Sequence, residues 1–236
     1  MYKLLRQLAL KFGYDLVKDK NKDFDAQLNQ FLQKNQFDGV IDVGANIGQY
    51  AQRLMTAGWH KPIFSFEPNP QVHALLQSKA QNIPAWRVQP AMALGSKTGT
   101  AQFQISKESD MSSLLPQTDL LQKISPSSSI SRTIDVKVVR LDELAQTFSD
   151  CQKLFVKMDV QGFESEVLTG ATGLLPKIHG LQLELSLLTM YSGEKLWLPM
   201  IEDLATMGFA VHLLFPGYFE RKLARQLQVD CIFLRE

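Results

Sequence analysis

The stretch 40–48 constrains this 236-residue chain more than any other segment. Val40-Ile41-Asp42-Val43 is a short apolar run that ends in Gly44-Ala45-Asn46-Ile47-Gly48, and residues 50–57 continue with helical texture. A strand that passes through a glycine turn into a helix opens a βαβ unit, because parallel strands need a long crossover between them. The same alternation recurs along the chain. Residues 62–66 read as a second strand, closed by Glu67-Pro68-Asn69-Pro70, where two prolines enforce a turn. Residues 72–80 read as a helix and 85–88 as a third strand. Further on come strand 154–158, helix 163–174, strand 181–185 and helix 195–207. The runs 209–214 and 227–233 read as a closing hairpin. Strands alternating with helices predict an α/β fold with a mostly parallel sheet.

Two regions depart from this rhythm. Residues 100–105 and 134–139 alternate apolar and polar positions and read as a paired, antiparallel inserted hairpin. Between them, residues 107–133 are rich in Ser and contain Pro116 and Pro126. So long a loop inside a compact domain is either functional or disordered, so it reads as a substrate-side lid or as a floppy insertion. Residues 1–36 form an N-terminal helical extension to the domain at 37–236, with Leu4, Leu5, Leu8 and Phe12, then Phe24, Leu28, Phe31 and Leu32, at helical spacing. Through Lys22 this extension carries six Lys/Arg against Asp15 and Asp19. It reads as a cap with a solvated basic face, or as a weak contact with anionic membrane lipids or an anionic substrate.

Composition narrows the function classes. A net charge of +1 gives no concentrated basic footprint, so no nucleic-acid partner is expected. Cys151 and Cys231 are far apart and outside any Cys-x-x-Cys pair, which predicts two reduced thiols in a cytoplasmic protein. No apolar stretch approaches the ~20 residues of a membrane span, and residues 1–12 lack the pattern of a signal peptide. Oligomeric state has no signature in the sequence.

In open α/β sheets the ligand sits beyond the carboxyl ends of the strands, where strand order reverses. Gly44 and Gly48 allow a tight turn there. Glu67 ends the next strand, where a carboxylate can accept hydrogen bonds from both hydroxyls of a ribose. Dinucleotide sites share these features, but Asn46 stands where their second glycine would meet the pyrophosphate. Asp42 also opposes a pyrophosphate. Like charges ~4 Å apart at an effective dielectric constant near 20 cost on the order of 4 kcal/mol. A carboxylate suits the ammonium and sulfonium of S-adenosylmethionine instead. No Gly-Lys-Ser/Thr follows the loop, so it is not a Walker-type site.

A second cluster lies at Lys157-Met158-Asp159-Val160-Gln161-Gly162-Phe163-Glu164. Asp159 ends an apolar strand on the same sheet edge as Asp42. Glu164 opens the next helix, either as a functional carboxylate or as an ordinary acidic helix start. With these stretches in place, the chain resembles the FkbM family of S-adenosylmethionine-dependent methyltransferases. The resemblance rests on "IDVGANIGQY", "SFEPNP", "PAMALGSKTGTAQF", "MSSLL", "VVRLDEL", "VKMDVQGFESEVLTGA" and "LQLELS", in that order, over residues 39–215.

The resemblance implies a class I methyltransferase, Rossmann-like three-layer sandwich with a seven-stranded sheet. It assigns Asp42, Gly44, Asn46 and Gly48 to the methionine end of the cofactor, Glu67 to the ribose, and Ala91 and Met92 to the adenine. It implies O-methylation of a sugar, glycan or glycolipid hydroxyl. The alternatives are methylation of a nitrogen in a protein or small molecule, or a non-catalytic nucleoside-binding module. Gln161 departs from the family, whose members commonly carry glutamate there, so no role that rests on that carboxylate, metal binding included, is carried over to this chain.

Asp159 is the expected base, with Glu164 and Glu184 as orienting carboxylates or ligands of a divalent metal. Lys157 is a charge partner or a strand residue with a snorkelling amine. Ser112 and Ser113 meet the acceptor or sit in solvent. Tyr191 and Trp197 form an aromatic wall for a sugar or belong to the core. His60, His73, His179 and His212 show no metal-ligand spacing, although His73 lies near the Glu67 turn.

Overall fold

A computed structural model describes residues 2–12 and 24–236. The expected helical content of residues 13–23, with Asp15 and Asp19, lies outside the described residues. Helix α1 (Tyr2–Lys11) is followed by α2 (Phe24–Lys34), whose Leu28, Phe31 and Leu32 are buried with Phe37 and Val40. The second half of the N-terminal region is thus built into the core of the sheet domain. No described helix is long and apolar enough to cross a membrane.

The sheet strands are β1 (Gly39–Val43), β2 (Ile63–Phe66), β3 (Trp86–Val88), β7 (Leu154–Met158), β8 (Ile178–Ser186), β9 (Phe209–Pro216) and β12 (Gln228–Arg235). Their order is β3-β2-β1-β7-β8-β12-β9. All neighbours run parallel except β12, which is antiparallel to both β8 and β9. The expected closing hairpin is present, with its second strand inserted between β8 and the edge. Strand order reverses between β1 and β7, which makes the carboxyl edge there the natural ligand crevice.

Strands β1, β2 and β7 are buried along their whole length because helices cover both faces, as parallel sheets require. Side-chain alternation then sorts residues by face. Ile41, Val43, Phe64, Phe66, Val156, Met158, Leu181 and Leu183 fill one core. On the other face, Val40, Ile63, Phe155 and Ile232 pack near the base of the sheet. Above them that face turns polar. In register across four strands stand Ser65, Asp42, Lys157 and Gln182, with Glu184 opposite Asp230 on the next pair.

Helices α3 (Gln49–Thr56), α4 (Pro70–Ala80) and α7 (Trp197–Thr206) form where expected, within a residue or two at each end. The Asn69 side chain caps α4 by accepting from the Gln71 amide at 3.1 Å, and Pro70 occupies the first turn. The helix expected over 163–174 is shorter: α6 spans Glu164–Thr169. A continuing helix would join the Gly170 carbonyl to the Leu174 amide. Asp142 takes both, its amide donating to Gly170 and its Oδ1 accepting from Leu174 at 3.0 Å each.

The inserted hairpin is the antiparallel pair β5 (Gly99–Ser106) and β6 (Ile130–Val139), joined by a short parallel strand, β4 (Ala93–Leu94). The segment 107–133 is not structureless. It carries 3-10 turns at Ser109–Met111 and Pro126–Ser128 and helix α5 (Asp119–Ile124), capped by the Thr118 hydroxyl. Leu121 is buried with Met190, Tyr191 and Leu227, which ties the segment to the main domain. Two short strands, β10 (Phe219–Glu220) and β11 (Arg225–Gln226), form a hairpin between β9 and β12. Cys151 and Cys231 are buried free thiols.

Candidate active site

Two cavities open side by side at the strand-reversal point. The first is largely apolar, with Phe66, Met92, Leu94, Phe103 and Val160 in its wall and the Glu67 carboxylate among them. The second is polar and includes Lys157, Gln182, Glu184 and Asp230. Gly44, Asn46, Asp110 and Asp159 line both.

The glycine loop is shaped by close backbone approach. Gly44 has φ 74°, and a Cβ there would lie 1.9 Å from the Asp159 carbonyl oxygen. Asn46 is itself left-handed at φ 48°, a conformation asparagine tolerates better than most residues. Its amide donates to Glu67 Oε2 at 2.9 Å, and the Asn69 amide donates to Oε1 at 2.8 Å. Burial pushes the Glu67 carboxyl up to about 7, against the pull of these two amides and of Lys157.

Beneath the loop lies a buried charge pair. Lys157 Nζ sits 3.1 Å from Asp42 Oδ1 and 3.8 Å from Asp159 Oδ2, and it donates to the Gly44 carbonyl at 3.0 Å. Burial pulls the lysine pKa down, but the attraction of Asp42 and Asp159 outweighs it and the net shift is upward. Lys157 therefore stays an ammonium. Asp42, fully buried, also accepts from the Ser65 hydroxyl at 3.2 Å and lines neither cavity.

Gln161 joins the acidic groups. Its Nε2 donates to Asp159 Oδ1 at 2.8 Å and to Glu184 Oε2 at 3.2 Å, while its Oε1 accepts from the Tyr191 hydroxyl at 2.9 Å. The Ser113 hydroxyl holds the Gln161 carbonyl at 2.8 Å. Glu184 Oε2 also accepts from Gln228 Nε2 at 2.7 Å. Burial, reinforced by Asp159 and Asp230, pushes Glu184 well above the ordinary carboxylate range. The Asp159 side chain, by contrast, is 41% exposed and opens into both cavities.

The sequence-predicted residues therefore divide. Gly44, Asn46, Glu67, Met92, Asp159 and Glu184 converge on the two cavities. Gly48 begins α3 and faces away, where an added Cβ would meet the Trp86 ring at 2.4 Å. Ala91 is exposed and outside both linings, because the turn after β3 directs Met92 inward instead. Glu164 also reaches neither cavity. Its Oε1 turns back to accept from the Val160 amide at 3.1 Å, and burial pushes its carboxyl up to about 7.

The remaining candidates sort in the same way. Ser112 lines the first cavity and Ser113 buttresses Gln161. Tyr191 is buried behind Gln161, and Trp197 packs against the main core. The His73 ring contacts the Gln89 carbonyl at 2.7 Å, and the other histidines lie outside both linings. Among the described residues no cluster of three or more His, Cys, Asp or Glu side chains has metal-holding geometry.

Sequence reasoning missed Asp110 and Ser109, contributed by the insertion, and Gln182, Gln228 and Asp230, contributed by late strands. Asp230 had one signal: an acid inside the otherwise apolar run Val229–Phe233.

The family model "Methyltransferase FkbM domain" matches residues 42–211. Hexuronic acid methyltransferase AglP of Haloferax volcanii is 29% identical over 149 residues, covering 63% of this chain and 56% of that protein. 2-O-methyltransferase NoeI of Sinorhizobium fredii is 26% identical over 169 residues, 66% of each chain. The chain thus spans just over half of AglP and about two thirds of NoeI. A TehB-like S-adenosylmethionine-dependent methyltransferase from Corynebacterium glutamicum aligns with a TM-score of 0.46 at 10% identity, over 100% of this chain and 96% of that one. With 170 of its 236 residues matched by one family model, the chain belongs to the FkbM family of S-adenosylmethionine-dependent methyltransferases.

Proposed function

We propose that this chain transfers a methyl group from S-adenosylmethionine to a hydroxyl of a sugar or glycan, with Asp159 as the base. One observation carries the reading: of the two acids that line both cavities, Asp110 and Asp159, Asp159 ends a strand of the main sheet, with one oxygen held by Gln161 and the other beside Lys157.

The first cavity fits the cofactor. Glu67 places a carboxylate in its wall, and each oxygen, already accepting one amide, retains a second lone pair for a ribose hydroxyl. Phe66, Met92, Leu94 and Phe103 provide apolar surface for a purine. Gly44 and Asn46, where the cavities meet, suit the methionine end. The cofactor supplies an electrophilic methyl group on sulfonium. The protein's share is to align the acceptor and remove its proton.

The second cavity suits the acceptor. Its Asp110, Gln182, Glu184 and Asp230 are hydrogen-bonding groups for a polyhydroxylated ring. Lys157 is already compensated by buried Asp42, and Arg53 lies 3.6 Å from Asp25, so the cavity has an acidic bias. That bias favours a neutral or amino sugar over a uronic acid. A divalent metal does not fit between Asp159 and Glu184 as they stand, since the Gln161 amide faces both with N–H donors. The names of AglP and NoeI support a sugar acceptor.

The test is calorimetric titration with S-adenosylmethionine and NAD, followed by labelled-methyl transfer to matched neutral glycosides, amino sugars and uronic acids. Saturable binding of S-adenosylmethionine and label on a sugar oxygen are expected. Binding of NAD alone, or label only on a nitrogen, would overturn the reading.

A further inference from the structure

Strands β8 and β9 both run antiparallel to β12, so their carboxyl ends share the edge that carries Asp159 and Glu184. The hairpin 219–226 projects from that edge, and its base is well anchored. The Leu227 amide donates to the Tyr218 carbonyl at 2.8 Å, Tyr218 packs against the Leu121–Met190–Tyr191–Leu227 cluster, and Gln228 holds Glu184.

The tip is different in character. Phe219 is 50% and Leu223 46% exposed, between the exposed cations Arg221, Lys222 and Arg225. None of these three cations forms an ion pair among the described residues. The hairpin's one acid, Glu220, is turned inward. Its carboxylate accepts from the Tyr218 hydroxyl at 2.6 Å and from the Lys222 amide at 2.8 Å. The hairpin therefore exposes two large apolar side chains and three cations, with Arg225 standing opposite the inward-turned Glu220 and no exposed acid among residues 219–226. This is the pattern that partitions to an anionic lipid surface, where apolar groups enter the headgroup boundary and cations meet lipid phosphates.

A second basic, apolar element is joined to this region through the chain. The Phe24 ring at the start of α2 lies edge-on to Phe215, near the carboxyl end of β9, with centroids 4.6 Å apart. Residues 13–23 join that point to α1, where Leu4 and Leu8 are exposed and residues 1–12 contain Lys3, Arg6 and Lys11 but no acid.

We propose that the hairpin 219–226 docks on an anionic membrane surface and turns the polar cavity's edge toward it, so that the acceptor is met at a lipid bilayer. The docking step does not depend on the methyl-transfer reading. Its test is co-sedimentation of the full chain with vesicles of phosphatidylcholine alone or with phosphatidylglycerol added, without cofactor or acceptor.

The wild-type chain is expected to bind the anionic vesicles, to be released by high salt, and to ignore neutral ones. Replacing all three cations (R221Q/K222Q/R225Q) should weaken binding on the order of a hundredfold, at about fivefold per charge. Phe219→Ser with Leu223→Ser should also release the chain, with an unchanged melting temperature as the folding control. Absence of anionic-vesicle binding by the wild type overturns the proposal. So does release by substitutions in α1 alone, or a hairpin that mediates only self-association in solution.

Discussion

Asp42 and Lys157 face each other in register across β1 and β7, with the ammonium 3.1 Å from the carboxylate and both side chains almost wholly buried. The sequence suggested Asp42 as a partner for a cationic cofactor. In the structure its charge is already met from below, and the ammonium goes on to hold the Gly44 carbonyl and stand beside Asp159. The pair thus shapes the site without lining it.

Lys157→Met is expected to cost about 3–5 kcal/mol of stability, because it strands a buried carboxylate. The double variant with Asp42→Asn removes both charges and should recover much of that loss. Urea unfolding checks both. A single variant no less stable than the double would show that the pair is not coupled.

Glu67 makes cofactor binding pH-dependent. Its carboxyl is raised from the ordinary 4.5 to about 7, so near pH 6 it is mainly protonated in the free protein. An ionised carboxylate is the better acceptor for ribose hydroxyls. Affinity for S-adenosylmethionine should therefore rise as pH passes from about 6 to 8, and Glu67→Gln should lower it and flatten the profile. Calorimetry across that range tests this; a flat wild-type profile would remove Glu67 from the binding site.

Asp159→Asn should leave cofactor affinity intact and lower turnover by roughly 10²–10⁴-fold, the range of a lost general base. Glu164→Gln makes the contrast, since its amide oxygen can still accept from Val160 and turnover should persist. Its effect should appear in stability. Burial raises the folded carboxyl to about 7. Stability present below about 4.5 is therefore lost as pH rises toward 7, and the glutamine avoids that loss. Melting curves at pH 5 and pH 8 should converge for this variant relative to wild type. Loss of turnover in Glu164→Gln at unchanged stability would restore Glu164 to the reaction.

Gln161→Glu would bring a third carboxylate against two others where an N–H donor now sits 2.8 and 3.2 Å away. Like charges so close cannot all ionise, so the apparent pKa of the rate should move up and activity at neutral pH should fall on the order of tenfold. The variant should also melt higher with added calcium, unlike the wild type. A pH–rate profile identical to wild type would show that Gln161 does not govern Asp159.

The parts of this site legible in the sequence are those made by neighbours in the chain. Asp42 to Gly48, Glu67 and Asp159 each end a fully buried parallel strand, so a short apolar run followed by a turn marks their place. Gln228 was illegible, and Asp230 showed only as an acid in an apolar run, because the pairing of β12 with β8, unlike its hairpin with β9, is specified by no local pattern. Helix 163–174 was read too long because Asp142, twenty-eight residues before Gly170, diverts its hydrogen bonds. Glu164 was misleading for a related reason: its position at a helix start was visible, but its turn back to Val160 was not.

The row Ser65–Asp42–Lys157–Gln182 also bears on how the chain finds its own pairing. Strand side chains alternate faces, so a slip of one residue between β1 and β7 would set Ile41 or Val43 opposite Lys157 and leave the ammonium without its carboxylate. Apolar strands such as these are otherwise nearly interchangeable in offset. Four polar residues, placed one per strand, therefore act as an alignment key that penalises a one-residue slip among β2, β1, β7 and β8 during assembly.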